Sequence, residues 1–266
     1  MSEEEIITYA VDKDGIAQIT LNRPEKMNAF TIGMIEQWHD FLLNASDDPN
    51  VKVIIVTGTG RAFCAGGDTG AMQKRAGNES LERKDFLWRT VHSIPLLMER
   101  MDKPVIAAIN GLARGAGMDM ALMADIRIAA ESATFAESYI NMGLIAGDGG
   151  TYYLPRLIGL DRALELFWTA EVVAASEAEK MGLVTRVVPD DMLMKEAYSL
   201  ARRIADQPTE AVKLYKRAVY QGMNMSLPAH LDMVSSHTSI LRDTPEHRAK
   251  VAAFIASRKK RASAST

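Results

Sequence analysis

A single cysteine, Cys64, occurs in the 266 residues, which excludes an internal disulfide framework and suits a reducing compartment. No uninterrupted apolar run reaches membrane-spanning length: the most hydrophobic stretch, 104–125, is broken by Asn110, Arg114 and Asp119. The chain has no G-x-x-x-x-G-K-[ST] phosphate loop, and Gly111, Gly115 and Gly117 lack the spacing of a dinucleotide fingerprint. His39, His92, His230, His237 and His247 fall mostly on helical segments without metal-ligand spacing, so no metal and no redox cofactor are expected. No serine sits in a G-x-S-x-G turn, and Cys64 has no histidine beside it, so it reads as a small buried thiol rather than a nucleophile. A net charge of −3 gives no reason to expect nucleic acid or an anionic membrane as partner. The opening Met-Ser-Glu-Glu-Glu-Ile is acidic and carries no apolar signal core, so the expected location is the cytoplasm.

What is present is an ordinary globular composition, 47% hydrophobic and 24% charged, at a length that suits one large domain with an appendage. The chain is organised around 104–125. Val105 to Ile109 is an apolar, β-branched run with the pattern of a buried strand. Asn110-Gly111 punctuates it, and Gly115-Ala116-Gly117 opens a segment with helical spacing. A helix N-terminus carries unpaired N–H groups and partial positive charge, so it attracts a developing oxyanion. Asp119, three residues past Ala116, would lie in the first turn beside those amides. An oxyanion donor next to a carboxylate is a minimal kit for moving a proton near a carbonyl. Taken alone, the stretch has a simpler reading: an aspartate suiting the helix dipole, and glycines that mark close packing.

In chain order, Ile6 to Val11 and Ile16 to Asn22 are predicted strands of a hairpin turning at Asp12-Lys13-Asp14-Gly15. Thr31 to about Asn44 has helical periodicity, and Val53 to Val56 is a buried strand leading into the glycine-rich turn 57–68, where Asp68 would cap a helix. Leu81 to Met101 is helical with a kink or break at Pro95. Short strands follow at 125–129 and 134–136, then the glycine-rich loop 142–150. Strand, turn and helix have by then occurred twice in the same order, which predicts a layered α/β core of stacked repeats. Ser176-Glu-Ala-Glu179 matches a capping box, Gly182 suits the end of that helix, and Val184 to Val188 makes one more strand. From about Asp191 the pattern is helical: 192–205, 209–221, 227–241 and 245–260, with a break near Gln207-Pro208 and a solvated basic end at 258–261.

Together these stretches resemble the crotonase (enoyl-CoA hydratase/isomerase) family. The likeness is carried by Ile19-Thr-Leu-Asn-Arg-Pro24 with Asn28-Ala29, by Gly60-Arg-Ala-Phe-Cys-Ala-Gly-Gly-Asp68, and by Ile109-Asn-Gly-Leu-Ala-Arg-Gly-Ala-Gly117. It continues through Ala124-Asp-Ile-Arg-Ile-Ala129, Gly149-Gly-Thr with Leu154-Pro-Arg, and Glu246 to Phe254. Their shared order and spacing outweigh the bland reading of the central turn. The resemblance implies an α/β fold, a crotonase-like spiral of stacked ββα units over residues 1–200. It also implies a C-terminal α-helical trimerisation region over 201–266, with homotrimers or homohexamers formed as dimers of trimers. The ligand it implies is an acyl-CoA thioester, so coenzyme A enters as part of the substrate and not as a cofactor.

By position, the resemblance makes the backbone N–H groups of Gly67 and Ala116 the oxyanion hole. It sets CoA and acyl contacts at Lys26, Ala29, Ala65, Gly66 and Asp68, with Leu112, Gly115 and Tyr139 on the substrate side. The variable stretch from Met72 to Arg89 would set pocket depth. The family's hydratases use two glutamates; Asp119 stands at the first position and Tyr139, no carboxylate, at the second. Asp148 lies where dienoyl-CoA isomerases of the family place a catalytic aspartate, although an aspartate between glycines also suits a plain turn. Glu137 would face the same side as Tyr139 in an extended segment. The ranking is Asp119, Asp148, Glu137. The expected activity is double-bond isomerisation or hydration of an enoyl-CoA; the alternatives are a catalytically silent acyl-CoA-binding scaffold and a thioester or carbon–carbon hydrolase.

Overall fold

The computed structural model describes residues 5–70, 77 and 79–264, with side chains described as far as 258. The expectations for the acidic opening residues and for the tail beyond 258 therefore fall wholly or partly outside the described residues. So does part of the Met72 to Arg89 stretch. Two compact units divide at Arg203/Ile204.

The first unit holds two sheets. A six-stranded sheet has the order β1 (Ile7–Val11), β2 (Ile16–Leu21), β3 (Val53–Gly58), β5 (Val105–Ile109), β7 (Ile126–Ala130), β10 (Arg186–Val188). The four-stranded sheet has the order β4 (Ala62–Cys64), β6 (Leu112–Arg114), β8 (Thr134–Ala136), β9 (Val173–Ala174). Each of the pairs β3–β4, β5–β6 and β7–β8 gives its first strand to the large sheet and its second to the small one. That alternation is the stacked repeat whose order the sequence showed only twice.

The strands obey their residues. β5 is buried at every position and so is β3 up to Thr57, as apolar runs in a parallel sheet covered on both faces must be. The first hairpin closes as predicted: Asp12 Oδ1 accepts from the N–H groups of Asp14 and Ile16, and Gly15 supplies a φ of +80°. Thr31 caps the Ile32–Asp47 helix through its side chain, and Met34, Trp38 and Leu42 go into the core.

Two local readings need correction. The predicted helix over 81–101 is two helices, Ser80–Phe86 and Ser93–Arg100, separated by a wide turn at Leu87–Val91. Pro95 sits in the first turn of the second helix, where a missing N–H leaves nothing unpaired, so the break lies upstream of it. Ser176 is inside the Ala175–Lys180 helix and caps nothing; Glu179 Oε1 accepts from Val187 N–H instead. Two helices, Gly150–Ile158 and Leu160–Thr169, follow the glycine-rich loop in a stretch for which the sequence predicted no element. Gly149-Gly150 and Pro155 look like breakers, yet burial of Leu154, Ile158, Ala163 and Leu166 overrides the local preference.

In the second unit the helices Thr209–Gly222, Leu227–Arg242 and Pro245–Ala264 agree with the predicted spans to within a few residues. A Cβ at Gly222 would stand 2.7 Å from the His230 ring, so the first two helices meet where a side chain is absent.

Candidate active site

The central helix, Ala116–Leu122, is buried along its whole length. Gly115 enters it with a φ of +48°, and Gly117 packs so closely on β4 that a Cβ there would lie 2.1 Å from the Cys64 carbonyl oxygen. The position of this helix is therefore set by backbone against backbone. Two asparagines hold the turn that faces it. Asn28, fully buried with φ +55°, donates to the carbonyls of Thr59 and Ala62, and Asn110 donates to Gly60 and Ala62 while accepting from Gly58 N–H. Nothing in the local pattern marked either residue as a clamp, because the groups they hold in this turn lie 31 to 52 residues away, although Asn28 Oδ1 also accepts from the nearby Arg23 N–H.

The segment 65–68 is stitched to the loop 26–30. Ala65 N–H donates to Met27 O, Phe30 N–H to Gly66 O, and Asp68 N–H to Phe30 O. This is a parallel bridge between Phe30 and Gly67, whose geometry turns the Gly67 N–H away from Phe30. On the other side, Gly66 abuts the central helix, with the Ala116 nitrogen 3.7 Å from where its Cβ would be. The amides of Gly67 and Ala116 are thus carried on two segments in contact, and neither donates to a described residue. Lys26 is exposed, and Leu112 starts β6 between Ala62 and Thr134. Arg23 donates to the Ala29 carbonyl and pairs with Asp68 at 3.2 Å. Asp68 also accepts from Gly70 N–H, while the helix it was expected to cap lies largely outside the described residues.

All three candidate carboxyls converge behind the central turn. Tyr139, in the short 3-10 turn Ser138–Met142, lays its ring 3.6 Å from where a Cβ of Gly115 would be, and its hydroxyl reaches 3.0 Å to Asp119 Oδ2 and 3.0 Å to Asp148 Oδ2. Asp119 Oδ2 also accepts from Asp148 N–H at 3.0 Å. Gly149, at φ +116°, lets this turn fold back, and Gly150 leaves room, since a Cβ there would meet Asp119 Oδ1 at 2.1 Å. Glu137 does join Tyr139 on the same side, but the chain leaves the extended conformation at Glu137 itself, so the turn and not strand alternation brings them together.

Burial is severe: Asp119 is 0%, Glu137 1% and Asp148 7% exposed. Removal from water pushes every acid here up, and neighbouring carboxylates add to it for Asp119 and Glu137. Burial and the neighbouring Asp148 raise Asp119 to about 6, against Tyr139 and the Gly150 and Glu137 contacts, which favour its charged form. Glu137 goes up to about 10 and is a neutral acid at pH 7. No N–H or hydroxyl donor reaches either Glu137 oxygen, so a hydrogen bond between the Glu137 and Asp119 carboxyls requires the Glu137 proton to point at Asp119. Burial and the two aspartates also push the Tyr139 phenol up, which keeps its proton in place.

His92 escaped the sequence reading. Its Nε2 lies 2.7 Å from the Gly147 carbonyl, and its ring favours the charged form of Asp148. A histidine at the end of a broken helix gives no local signal of that contact. Cys64 is buried, its thiol directed at the Asn28 carbonyl at 3.1 Å and pushed up to about 12 by burial, which is the inert thiol the sequence suggested. Among the described residues no cluster could hold a metal ion, and no described helix is long and apolar enough to cross a membrane.

The chain is similar to known proteins in sequence and in fold. A family model described as enoyl-CoA hydratase/isomerase matches residues 12–262. The crotonyl-CoA hydratase of Syntrophomonas wolfei is 35% identical over 260 residues, covering 97% of this chain and 98% of that protein. The 1,2-epoxyphenylacetyl-CoA isomerase of Escherichia coli is 35% identical over 254 residues, with 96% and 97% covered. The crystal structure of enoyl-CoA hydratase from Bacillus anthracis superposes with a TM-score of 0.88 at 33% identity, covering 95% of this chain and 97% of that one. Matched in sequence and in fold over almost its whole length, the chain belongs to the enoyl-CoA hydratase/isomerase family.

Proposed function

We propose that the protein binds an acyl-CoA thioester and moves a proton next to its carbonyl, shifting the double bond of an enoyl-CoA or hydrating it. The Gly67 and Ala116 amide N–H groups donate to the thioester oxygen and stabilise the enolate, an effect commonly of about 3 kcal/mol per donor. Asp119 and Asp148 are the acid–base pair, and Glu137 is the neutral acid that supports Asp119. Lys26, Ala29, Ala65, Gly66, Asp68, Leu112 and Gly115 line the path of the CoA and acyl group. The observation that carries the reading is the hydroxyl of Tyr139 joined to both aspartates, one of them on the helix that begins with the Ala116 amide.

The same observation favours isomerisation over hydration. A phenol cannot replace the second carboxylate of a hydratase, whereas two aspartates can take a proton at one carbon and return one further along. Three buried carboxyls are costly to maintain without a task, which weighs against a silent scaffold. The reaction needs no cofactor beyond the coenzyme A of its substrate, and the cytoplasm and a homotrimeric or hexameric assembly suit the reading.

Crotonyl-CoA and a 3-enoyl-CoA, assayed side by side with a chelator present and no added cofactor, test this. Turnover of the 3-enoyl-CoA is the expected result. Intact CoA binding without turnover of either substrate would sink the proposal, and free CoA release detected with a thiol reagent would move it to the hydrolase branch.

A further inference from the structure

The Tyr139 hydroxyl has one proton and two carboxylate neighbours, Asp119 Oδ2 and Asp148 Oδ2, each at 3.0 Å. It can donate to only one of them. Were both aspartates ionised, the second contact would set lone pair against lone pair beside two buried carboxylates, a costly arrangement. One aspartate must therefore carry a proton and donate it to the phenol oxygen. Asp119 Oδ2 already accepts a second hydrogen bond, from the Asp148 N–H, and this geometry makes Asp119 the better-supported anion although the His92 ring pulls Asp148 towards its charged form. The proton order at rest is Asp148 Oδ2–H to Tyr139 Oη, and Tyr139 Oη–H to Asp119 Oδ2.

We propose that Tyr139 is a proton relay that resets the Asp119–Asp148 pair after each turnover without exchange with bulk water. The proposal rests on the isomerase reading above. In the reaction Asp119 takes a proton from the carbon next to the thioester, and Asp148 delivers its own two carbons further along. This leaves Asp119 protonated and Asp148 ionised, the reverse of the starting state. Reset is one concerted shift: the Asp119 proton passes to Tyr139 Oη as the Oη–H proton passes to Asp148. One proton moves from Asp119 to Asp148, no electrons are exchanged, and no co-reactant is required. The phenol never becomes a phenolate, so its reluctance to ionise is no obstacle. The departure from the family's second glutamate is thereby given a positive role, since a glutamate at 139 would add a fourth acid and no neutral bridge.

A 3-enoyl-CoA deuterated at C2 and turned over in ordinary water distinguishes the possibilities. With enzyme in excess, a single turnover should leave no deuterium at C4 of the product. Under many turnovers deuterium should appear at C4, because earlier labels work their way through Tyr139 to Asp148. Deuterium at C4 in the first turnover would mean that one base does both steps, and complete loss to water under all conditions would mean that solvent resets the pair; either overturns the relay. The wild-type protein suffices for this test, so it stands even if variants fold poorly. Its turnover also separates a failed relay from a failed isomerase reading. Tyr139→Phe adds a second readout: a burst of one product per site, then steady turnover slower by about 100-fold or more. An unchanged steady rate, or a first turnover slowed as much as the later ones, counts against the relay.

Discussion

At the scale of single residues, the candidate site is governed by how few protons three buried acids can lose. Asp119→Asn and Asp148→Asn keep size and remove acid–base chemistry, so each should lower kcat by roughly 10²–10⁴ while leaving CoA affinity near the parent value. Isothermal titration with CoA beside steady-state kinetics checks both halves, and a full rate in Asp148→Asn together with a dead Glu137→Gln would hand the second role to Glu137. Glu137→Gln has a separate consequence for stability. The Glu137 carboxyl is raised to about 10 by burial and Asp119, so across the pH range above an unfolded glutamate's ordinary value the folded protein binds one more proton than the unfolded chain. Stability from this group is present at acid pH and is lost as pH rises towards 10. Glutamine cannot titrate but can still donate to Asp119, so thermal melts from pH 5 to 9 should fall less steeply with pH in the variant than in the parent. Parallel slopes would show that Glu137 ionises freely.

At the scale of elements, the decisive feature is the seat of the Ala116–Leu122 helix on β4. Gly117→Ala would drive a methyl into the Cys64 carbonyl, 2.1 Å from the ideal Cβ position. No flexible side chain can yield there, because the obstacle is backbone. We expect a loss of about 1–3 kcal/mol, or more, in denaturant unfolding. Activity should fall further than stability predicts, since the same helix carries both the Ala116 amide and Asp119. Unchanged unfolding and full turnover in this variant would contradict the argument. The wide turn at Leu87–Val91 acts at the same scale, because it precedes His92 and so bears on the loop that presents Asp148.

At the scale of the whole molecule, the helices of the second unit leave Tyr215, Val219, Leu227, Ile240 and Phe254 more than half exposed. Large apolar side chains left outside at this density are the surface that the proposed assembly would cover. Size-exclusion chromatography with light scattering should return three or six times the 29.2 kDa chain mass at micromolar concentration. A stable monomer would remove the assembly part of the proposed function and leave its chemistry standing.

Much of this was legible along the chain. Hydrophobic period alone located the hairpin, β3, β5 and the helices after Asp191, because those elements depend on residues within a few positions of each other. The strand–turn–helix order and the pairing of Ala116 with Asp119 are local as well, and the family resemblance named the same candidate residues. Three features depended on tertiary structure. The helices over 150–169 form against glycine and proline signals because burial outweighs propensity. Asn28, Asn110 and His92 act on partners 31 to 55 residues away, beyond any local pattern. Asp119, Glu137, Tyr139 and Asp148 come from three segments, and only their meeting in a buried cluster decides which of them holds a proton. Sequence determines which groups can titrate, but desolvation and the neighbours brought by the fold determine which of them does.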